Sequence, residues 1–322
     1  MRPMLVPCLA AAAAVMLLAP AAGAQTVKIT PLGSHEGEFC RFDRALIMED
    51  PNGTRVLYDA GRTVRGPEDA RLGNIDAILL SHVHGDHLGD KHQPSPNAGE
   101  CGNPDVSKVV VPVSNTVLIT VAKGAKLVVG GEMASFFAKK VGAAGGDPKQ
   151  VQLARYGGMR DVKGVKIYSV PAVHSNGLNP AFLEGAHADA LKESGLTAYV
   201  GPPGGYVVEF TNGLTVYLSG DTGHTAEQDT VVRQRFGAEL VVMNIGGIFT
   251  TGPKEAAFVI NELVKPKAVI ASHANEEATS GGKVKAGTKT AVFTEATKVP
   301  VYPALSDVTM EFDGKGKCSA GC

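Results

Sequence analysis

The sequence predicts an α/β fold of four layers, in which two mixed β-sheets pack together and helices cover their outer faces (αββα). Short apolar segments joined by tight turns, at Asn52-Gly53 and Asn212-Gly213, indicate β-hairpins. Continuous apolar runs followed by helical stretches indicate strands that are buried on both faces. This order of hairpins and βα units occurs in two comparable halves, and a sandwich of two mixed sheets accommodates both of them.

In the first half, the apolar segments predict strands at residues 27–32, 45–48, 56–58, 75–81 and 108–112. The run at 75–81 is continuous and ends directly at a histidine cluster, as expected of a buried strand that delivers its C-terminal loop to a site. Ser114 is expected to cap a helix that begins near Asn115, and a second helix is expected at 131–141.

In the second half, strands are predicted at residues 165–173, 206–210, 214–218, 240–244 and 268–271, with an amphipathic helix at 253–264. Two stretches rich in Pro and Gly, 91–107 and 177–205, fit no regular element. Both follow histidine motifs. They are expected either to shape a substrate pocket or to be surface insertions without function.

The first 24 residues have the features of a cleaved signal peptide. Arg2 precedes an alanine-rich apolar run, and Ala22-Gly23-Ala24 has the small-x-small form of a cleavage site. A retained membrane anchor is the alternative, but Pro7 and Pro20 interrupt the run. We therefore expect a domain of residues 25–322 in the periplasm or secreted, without membrane attachment after cleavage.

The composition is that of a globular domain with balanced charge. The 31 basic and 32 acidic residues favour neither nucleic acid nor an anionic membrane as a partner, so we expect a small-molecule substrate. Four cysteines follow the signal peptide, an even number that suggests two disulfides in an exported protein. Of the three pairings, we favour Cys318 with Cys322, which are close in sequence, and hence Cys40 with Cys101.

The strongest chemical signal is the segment from His82 to His87, with the pattern His-x-His-x-Asp-His: His82, His84, Asp86 and His87. Neutral imidazole nitrogen and carboxylate oxygen are natural ligands for Zn²⁺ and similar cations. Three histidines and an aspartate this close would repel one another or stay unpaired without a cation. His174, Asp221 and His273 follow, each at the end of a predicted strand.

In these motifs the chain resembles the metallo-β-lactamase superfamily, whose five motifs match Asp59, the His82–His87 cluster, His174, Asp221 and His273 in order. The resemblance implies that His82, His84 and His174 bind one metal. It implies that Asp86, His87 and His273 bind a second and that Asp221 bridges the two. Asp59 would brace the metal-binding loop without binding metal itself.

The resemblance further implies a binuclear hydrolase. Two divalent cations, Zn²⁺ with Mn²⁺ or Fe as alternatives, would share a hydroxide that attacks a carbonyl or a phosphorus, and Asp86 would orient this nucleophile or accept its proton. No Lys/Arg cluster accompanies the metal motifs, so an ester or lactone is favoured over a phosphodiester. A non-enzymatic, metal-dependent binding protein of the same fold is the alternative.

A narrower resemblance is to the branch containing L-ascorbate-6-phosphate lactonase and N-acylphosphatidylethanolamine phospholipase D. It lies in Thr30-Pro31-Leu32-Gly33-Ser34-His35 and in the segment that begins Asn244-Ile245-Gly246-Gly247. The second segment would lie beside the metals, and Thr250 or Thr251 would cap the next helix. The antibiotic-cleaving members generally lack the aspartate matched by Asp221, so β-lactam hydrolysis is not expected.

Two further histidines are candidates for roles near the metals. His224 follows Asp221 by three residues and is predicted to act in catalysis by donating a proton or binding the substrate. His35 lies in the first hairpin loop, which often faces the metals.

Overall fold

Two mixed β-sheets form the centre of the fold in a computed structural model that describes residue 1 and residues 25–322. Apart from Met1, the predicted signal peptide lies outside the described residues. The eight-stranded sheet runs in the order Val151–Leu153, Lys126–Val129, Ala77–Leu79, Arg55–Tyr58, Leu46–Glu49, Val27–Pro31, Met310–Phe312, Cys318–Ala320. The seven-stranded sheet runs in the order Met159–Val162, Val165–Pro171, Gly204–Glu209, Thr215–Leu218, Leu240–Asn244, Ala268–Ser272, Val301–Pro303.

Each sheet joins an antiparallel part to a parallel part. In the first sheet, the strands from Val27–Pro31 to Arg55–Tyr58 pair antiparallel, and pairing turns parallel at Ala77–Leu79. In the second sheet, the change comes between Thr215–Leu218 and Leu240–Asn244. Hairpins therefore build one part of each sheet and βα units the other, which confirms the two comparable halves.

The alternation of side chains shows why the strands are apolar on both faces. Val56 and Tyr58 lie in the core between the sheets, whereas Leu57 between them packs into a second core with Phe137 and Val141 of an outer helix. A strand with apolar side chains on both faces must be covered on both. The four-layer sandwich is thus confirmed.

Helices cover the outer faces. The α-helices are Gly85–Leu88, Asn115–Lys123, Met133–Ala143, Ala186–Glu193, Pro253–Phe258 and Lys289–Ala296. Short 3₁₀ turns occur at Pro148–Gln150 and Pro180–Phe182, and π-helical turns at Gln228–Phe236 and Val259–Val264. Ser114 caps its helix by accepting a hydrogen bond from the Val117 N–H at 3.3 Å, as expected. Within the described residues, no helix has the length and apolarity to cross a membrane.

One predicted strand is wrong. Residues 108–112 enter neither of the two large sheets: only Lys108–Val109 is a strand, it pairs with Lys91–His92 alone, and Val109 is exposed. The place beside Ala77–Leu79 is taken by Lys126–Val129. An apolar run too short to show its period does not reveal whether it is buried, and here the chain crosses the surface instead.

The stretches predicted to be irregular contain short two-stranded pairs, Gly99–Glu100 with Asn103–Pro104 and Gly177–Leu178 with Ala198–Tyr199. The expectation that 177–205 holds no regular element is wrong, because the helix Ala186–Glu193 and the 3₁₀ turn Pro180–Phe182 lie within it. A further such pair joins Thr279–Ser280 to Lys283–Val284. The structure joins Cys40 to Cys101 and Cys318 to Cys322, which is the expected pairing. The first bond ties the stretch at 91–107 to the loop before Leu46–Glu49.

Candidate metal centre

Seven imidazole and carboxylate side chains meet at the C-terminal ends of the strands. They form three overlapping groups, each with its ligand atoms within 4.8 Å of one another. The groups are His82, His84 and His174; His82, His87 and Asp221; and Asp86, His87 and His273. All seven side chains predicted to bind metal are therefore brought together, although they span 191 positions (273 minus 82) of the sequence.

Asp221 lies at the middle of the cluster. Its Oδ2 is 3.8 Å from His82 Nε2 and 3.7 Å from His174 Nε2 on one side. On the other side it is 3.3 Å from His87 Nε2 and 3.2 Å from His273 Nε2. One carboxylate oxygen thus lies near members of both predicted ligand sets, which is the position expected of a bridging ligand.

The cluster depends on strained backbone at the strand ends. His273 has a φ of +51° and Asp59 a φ of +41°, values in the left-handed region that non-glycine residues seldom adopt. Gly246 lies against His273: a Cβ there would come within 2.7 Å of the His273 carbonyl oxygen and 2.9 Å of Nδ1. Strain of this kind persists where surrounding structure imposes it, and it is often found at functional sites.

Asp59 holds the loop that carries the first histidines. Its Oδ1 accepts from the Ser81 N–H at 2.8 Å, and its Oδ2 lies 2.8 Å from both Ser81 Oγ and His87 Nδ1. With Nδ1 of His87 bonded to this carboxylate, Nε2 is left facing Asp221. This hydrogen bond fixes the ring orientation of His87, which is how a carboxylate supports a metal-binding histidine.

The electrostatics favour ionised Asp86 and Asp221 and neutral His82, His84 and His174. Burial opposes ionisation of Asp221, but His273 and His87 outweigh it and hold its pKa well below the usual range. Burial holds the pKa of His82 well below its usual value. Burial also opposes protonation of His87, but Asp221, Asp59 and Asp86 raise its pKa to about 10. The cluster therefore favours a positive charge at its centre.

Unpartnered buried atoms indicate that this charge is a cation. Among the described residues, His82 Nε2, His87 Nε2, Asp221 Oδ1 and both ring nitrogens of His273 are buried without a hydrogen-bond partner. Buried polar groups are otherwise nearly always satisfied, because an unmade hydrogen bond costs roughly 1–3 kcal/mol. Nitrogen and carboxylate oxygen donors suit Zn²⁺ and related metals, so the residues present fit a metal site.

Arg44 is a site residue that the sequence analysis missed. Its guanidinium is buried, and Nε donates to Asp86 Oδ2 at 2.9 Å while Nη2 donates to Asn275 Oδ1 at 2.6 Å. Burial opposes ionisation of Asp86, but Arg44 and the nearby histidines hold the pKa of this carboxyl well below its usual range. Nothing in the local sequence around Arg44 marks it, since its partners lie 42 and 231 positions away.

The cluster forms the floor of an open cleft of about 670 Å³. Four basic side chains line the cleft as well: Arg41, Arg44, Arg62 and Lys289. No Lys/Arg cluster stands beside the metal motifs in the sequence, but the fold brings these four basic residues to the cleft from separate positions of the chain. Exposed Ile248 and Phe249 lie at the same opening.

A second hollow of about 500 Å³ adjoins the cleft at His174 and Ser175. Gly177, Thr197, Tyr199 and Pro202 contribute to its wall, so the stretch at 177–205 does shape a pocket beside the cluster. A separate cavity of about 260 Å³ reaches Ser81 from behind and is lined by none of the seven ligand-type side chains.

The remaining candidates lie away from the cleft. His224 is exposed, with its ring centroid 6.2 Å from that of Phe258, and it does not line the cleft; its role in catalysis stays a prediction. The ring nitrogens of His35 bond to Ser34 Oγ and to the Gly99 carbonyl.

The predicted threonine cap is wrong. Gly252 is the N-cap of Pro253–Phe258 and makes no side-chain bond to it. Thr251 Oγ1 instead bonds Asn244, the residue that also accepts from Ser219 Oγ and so joins two strand ends beside the cluster.

Known proteins share both the sequence pattern and the fold. Residues 54–274 match the family model described as the beta-lactamase superfamily domain. The UPF0173 metal-dependent hydrolase of Polynucleobacter asymbioticus is 29% identical over 91% of this chain and 90% of that relative. That of Thermococcus onnurineus is 30% identical over 69% of this chain and 77% of that relative.

Solved structures agree on the fold. Igni18, a metallo hydrolase from Ignicoccus hospitalis, superposes with a TM-score of 0.58 at 20% identity, covering 89% of this chain and 99% of that one. YhfI of Bacillus subtilis, a metallo-beta-lactamase fold protein, gives a TM-score of 0.55 at 12% identity over the same shares. The chain belongs to the beta-lactamase superfamily and is a metal-dependent hydrolase.

Proposed function

We propose that this protein is an exported binuclear hydrolase that cleaves a small ester or lactone. The observation that carries the proposal is the position of Asp221 Oδ2, within 3.8 Å of four imidazole nitrogens that belong to two ligand sets. A cleft of about 670 Å³ above this cluster has the volume of a small-molecule site.

His82, His84 and His174 would hold one cation, and Asp86, His87 and His273 a second, with Asp221 between them. Bound divalent cations, of which Zn²⁺ is favoured and Mn²⁺ or Fe are alternatives, would polarise the substrate oxygen and lower the pKa of bound water. Asp59 and Arg44 keep His87 and Asp86 in orientation for this task.

Asp86 is the residue best placed to orient the attacking water. Its carboxylate is ionised, and a quarter of its side-chain surface is open to the cleft. An ionised carboxylate accepts hydrogen bonds only, so it can fix the direction of a water O–H. In hydrolysis, the water oxygen bonds to the acyl carbon, the bond to the leaving oxygen breaks, and that oxygen takes up a proton.

A phosphodiester is the second candidate, and the two basic side chains of the cleft that form no ion pair among the described residues, Arg41 and Lys289, favour it. Arg and Lys bind phosphate oxygens well, because their N–H groups carry positive charge. A metal-dependent binding protein without catalysis is the remaining alternative. It has little need for a carboxylate open to the cleft at the position of Asp86.

Two observations support export. The first 24 residues have the features of a signal peptide. Two disulfides, Cys40–Cys101 and Cys318–Cys322, are typical of proteins in an oxidising compartment. Fractionation of the expressing cells, with the mass of the purified chain, tests this part: a chain that begins at Gln25 outside the cytoplasm is expected.

The reaction is tested with metal-loaded protein of residues 25–322, a panel of small lactones and esters, and a chromogenic phosphodiester. Turnover of the lactones or esters, lost in Asp86→Asn, is the expected result. Turnover of the phosphodiester alone would replace the acyl proposal by the phosphoryl one. Two bound metals without turnover of any compound would favour the binding protein.

A further inference from the structure

Two of the four basic side chains in the cleft are matched by carboxylates. Arg44 is paired with Asp86 at 2.9 Å. Arg62 makes a two-pronged pair with Asp90, with Nε and Nη2 donating at 2.7 and 2.8 Å. These two guanidiniums serve the framework of the cleft, and their charge is largely compensated.

Lys289 has no such partner in the part of the chain that the structure describes. Its ammonium donates to the carbonyl oxygens of Gly246 and Ala274, at 3.1 and 2.7 Å. Nearby Glu276 accepts instead from Thr290 and from the backbone N–H of Lys289, at the start of the helix Lys289–Ala296. The ammonium therefore lies half-buried at the cleft without a carboxylate in an ion pair, and its third N–H has no partner among the described residues.

Arg41 is the second unmatched cation. No carboxylate of residues 25–322 forms an ion pair with its guanidinium, which lies 5.6 Å from the centroid of the Phe42 ring. The backbone around it is fixed, because its N–H bonds the Cys101 carbonyl at 3.1 Å and its carbonyl accepts from Arg44 at 3.0 Å. An anchored backbone thus holds an exposed guanidinium at the opening of the cleft.

Both unmatched cations lie on one side of the metal ligands. Arg41 is linked through Arg44 to Asp86, and Lys289 is linked through Ala274 to His273. His84 and His174 are on the other side of Asp221, next to the second hollow. Any cation bound by the cluster would add to the positive charge of the cleft, so an anion is attracted to this side.

We propose that the substrate carries an oxyanion, a carboxylate or a phosphate, apart from the bond that is hydrolysed, and that Arg41 and Lys289 bind it. This inference rests on the proposed function for the orientation of the substrate. The substrate is then a small anionic ester or lactone whose reacting carbonyl lies at the ligand cluster and whose charged group points towards Arg41.

Two esters of matched length test the inference: the mono-4-nitrophenyl ester of glutaric acid and 4-nitrophenyl valerate. We expect a lower KM for the charged ester. Arg41→Gln should raise the ratio of the KM for the charged ester to that for the neutral one roughly tenfold, the effect of one charge-assisted hydrogen bond. Lys289→Met should change the ratio in the same direction. Lys298→Met, which removes an exposed cation paired with Glu262, should leave the ratio as it is.

Binding measured without turnover separates this inference from the proposed function. Calorimetry with metal-loaded protein would use glutarate and inorganic phosphate as probes. Binding of either anion, weakened in Arg41→Gln but not in Lys298→Met, supports the anion site even if neither ester is cleaved. No binding of either anion, together with equal KM values for the two esters, would overturn the anion site and leave the hydrolase proposal standing.

Discussion

Arg44 and Asp86 form an ion pair at the floor of the cleft, with Nε of the buried guanidinium 2.9 Å from Oδ2 of the carboxylate. The same guanidinium bonds Asn275 and the carbonyl of Arg41. Asp86 is thus held by a residue that binds no metal, and the pair connects the ligand cluster to the mouth of the cleft.

Arg44→Met should lower metal occupancy of the group formed by Asp86, His87 and His273. Without the guanidinium, Asp86 is free to turn towards solvent, since a quarter of its side-chain surface is already exposed. The free energy of unfolding should also fall by about 2 kcal/mol, because hydrogen bonds to charged groups contribute roughly 1.5–3 kcal/mol each. Metal analysis of the purified variant checks the first expectation and denaturant titration the second.

Arg44→Lys distinguishes the role of charge from that of geometry. Lysine keeps the charge but lacks the planar fork that reaches both Asp86 and Asn275. We expect Arg44→Lys to bind little more metal than Arg44→Met. Arg62→Met, which breaks the other Arg–Asp pair of the cleft, is the matched control and should keep full metal content. Equal loss of bound metal in Arg44→Met and Arg62→Met would contradict the specific role of Arg44.

Asp59→Asn should weaken metal binding about 10- to 100-fold, the usual cost of removing a partner that orients a histidine ligand. The amide nitrogen would face His87 Nδ1 and Ser81 Oγ, which now bond a carboxylate oxygen at 2.8 Å. Competition with a chelator measures the affinity. Asp50→Asn is the control. Asp50 is also a buried carboxylate, but it accepts hydrogen bonds from Thr211 rather than from a residue of the ligand cluster. It should change stability but not metal affinity.

Removal of single ligands should show which residues bind each of the two metals. His84 belongs only to the group with His82 and His174, and His273 only to the group with Asp86 and His87. We expect His84→Ala and His273→Ala each to retain one metal per chain, and Asp221→Ala to retain less than either, because its Oδ2 lies near both groups. Elemental analysis after dialysis gives the counts. Two metals retained in either histidine variant would disprove the assignment.

Gly246→Ala should impair metal binding without touching any ligand. The new Cβ would meet the His273 carbonyl oxygen at 2.7 Å and the Asn275 amide at 2.6 Å, so His273 must move. Gly130→Ala is the control, since its nearest contact would be an ordinary 3.7 Å. Metal titration of both variants provides the comparison. Unchanged affinity in Gly246→Ala would show that His273 tolerates the displacement.

The ligand cluster was predictable because each member carries its chemistry in its own side chain and follows an apolar strand. His82 to His87 stand together in the sequence, and Asp221 and His273 each end a segment of recognisable period. The strands 240–244 and 268–271 were predictable for the same reason, and the structure gives Leu240–Asn244 and Ala268–Ser272.

The residues that surround the cluster were not predictable. Arg44 and Lys289 are ordinary basic residues until the fold brings them to one cleft, and the sequence holds no signal of which carboxylate will compensate which cation. The short apolar run at 108–112 gave a wrong strand prediction for a related reason. Whether such a run is buried depends on which strand occupies the neighbouring position, and here Lys126–Val129 does.

The disulfide Cys40–Cys101 should contribute more to stability than Cys318–Cys322. It closes a separation of 61 residues, against 4 for the other, and a longer loop restricts the unfolded chain more. The chain-entropy relation gives about 4 kcal/mol for the first bond and about 2 kcal/mol for the second. Denaturant unfolding of Cys40→Ser/Cys101→Ser and of Cys318→Ser/Cys322→Ser, each against the oxidised parent, measures the two losses.

The same pair of variants also reports on the cleft. The carbonyl of Cys101 itself accepts from the Arg41 N–H, whereas Cys318 lies on the edge strand of the eight-stranded sheet and Cys322 after it. Loss of Cys40–Cys101 should therefore loosen Arg41 and raise KM for a charged ester, beyond its effect on stability. Loss of Cys318–Cys322 should leave KM unchanged. An equal rise of KM in both variants would mean that general destabilisation, rather than the anchoring of Arg41, accounts for the effect.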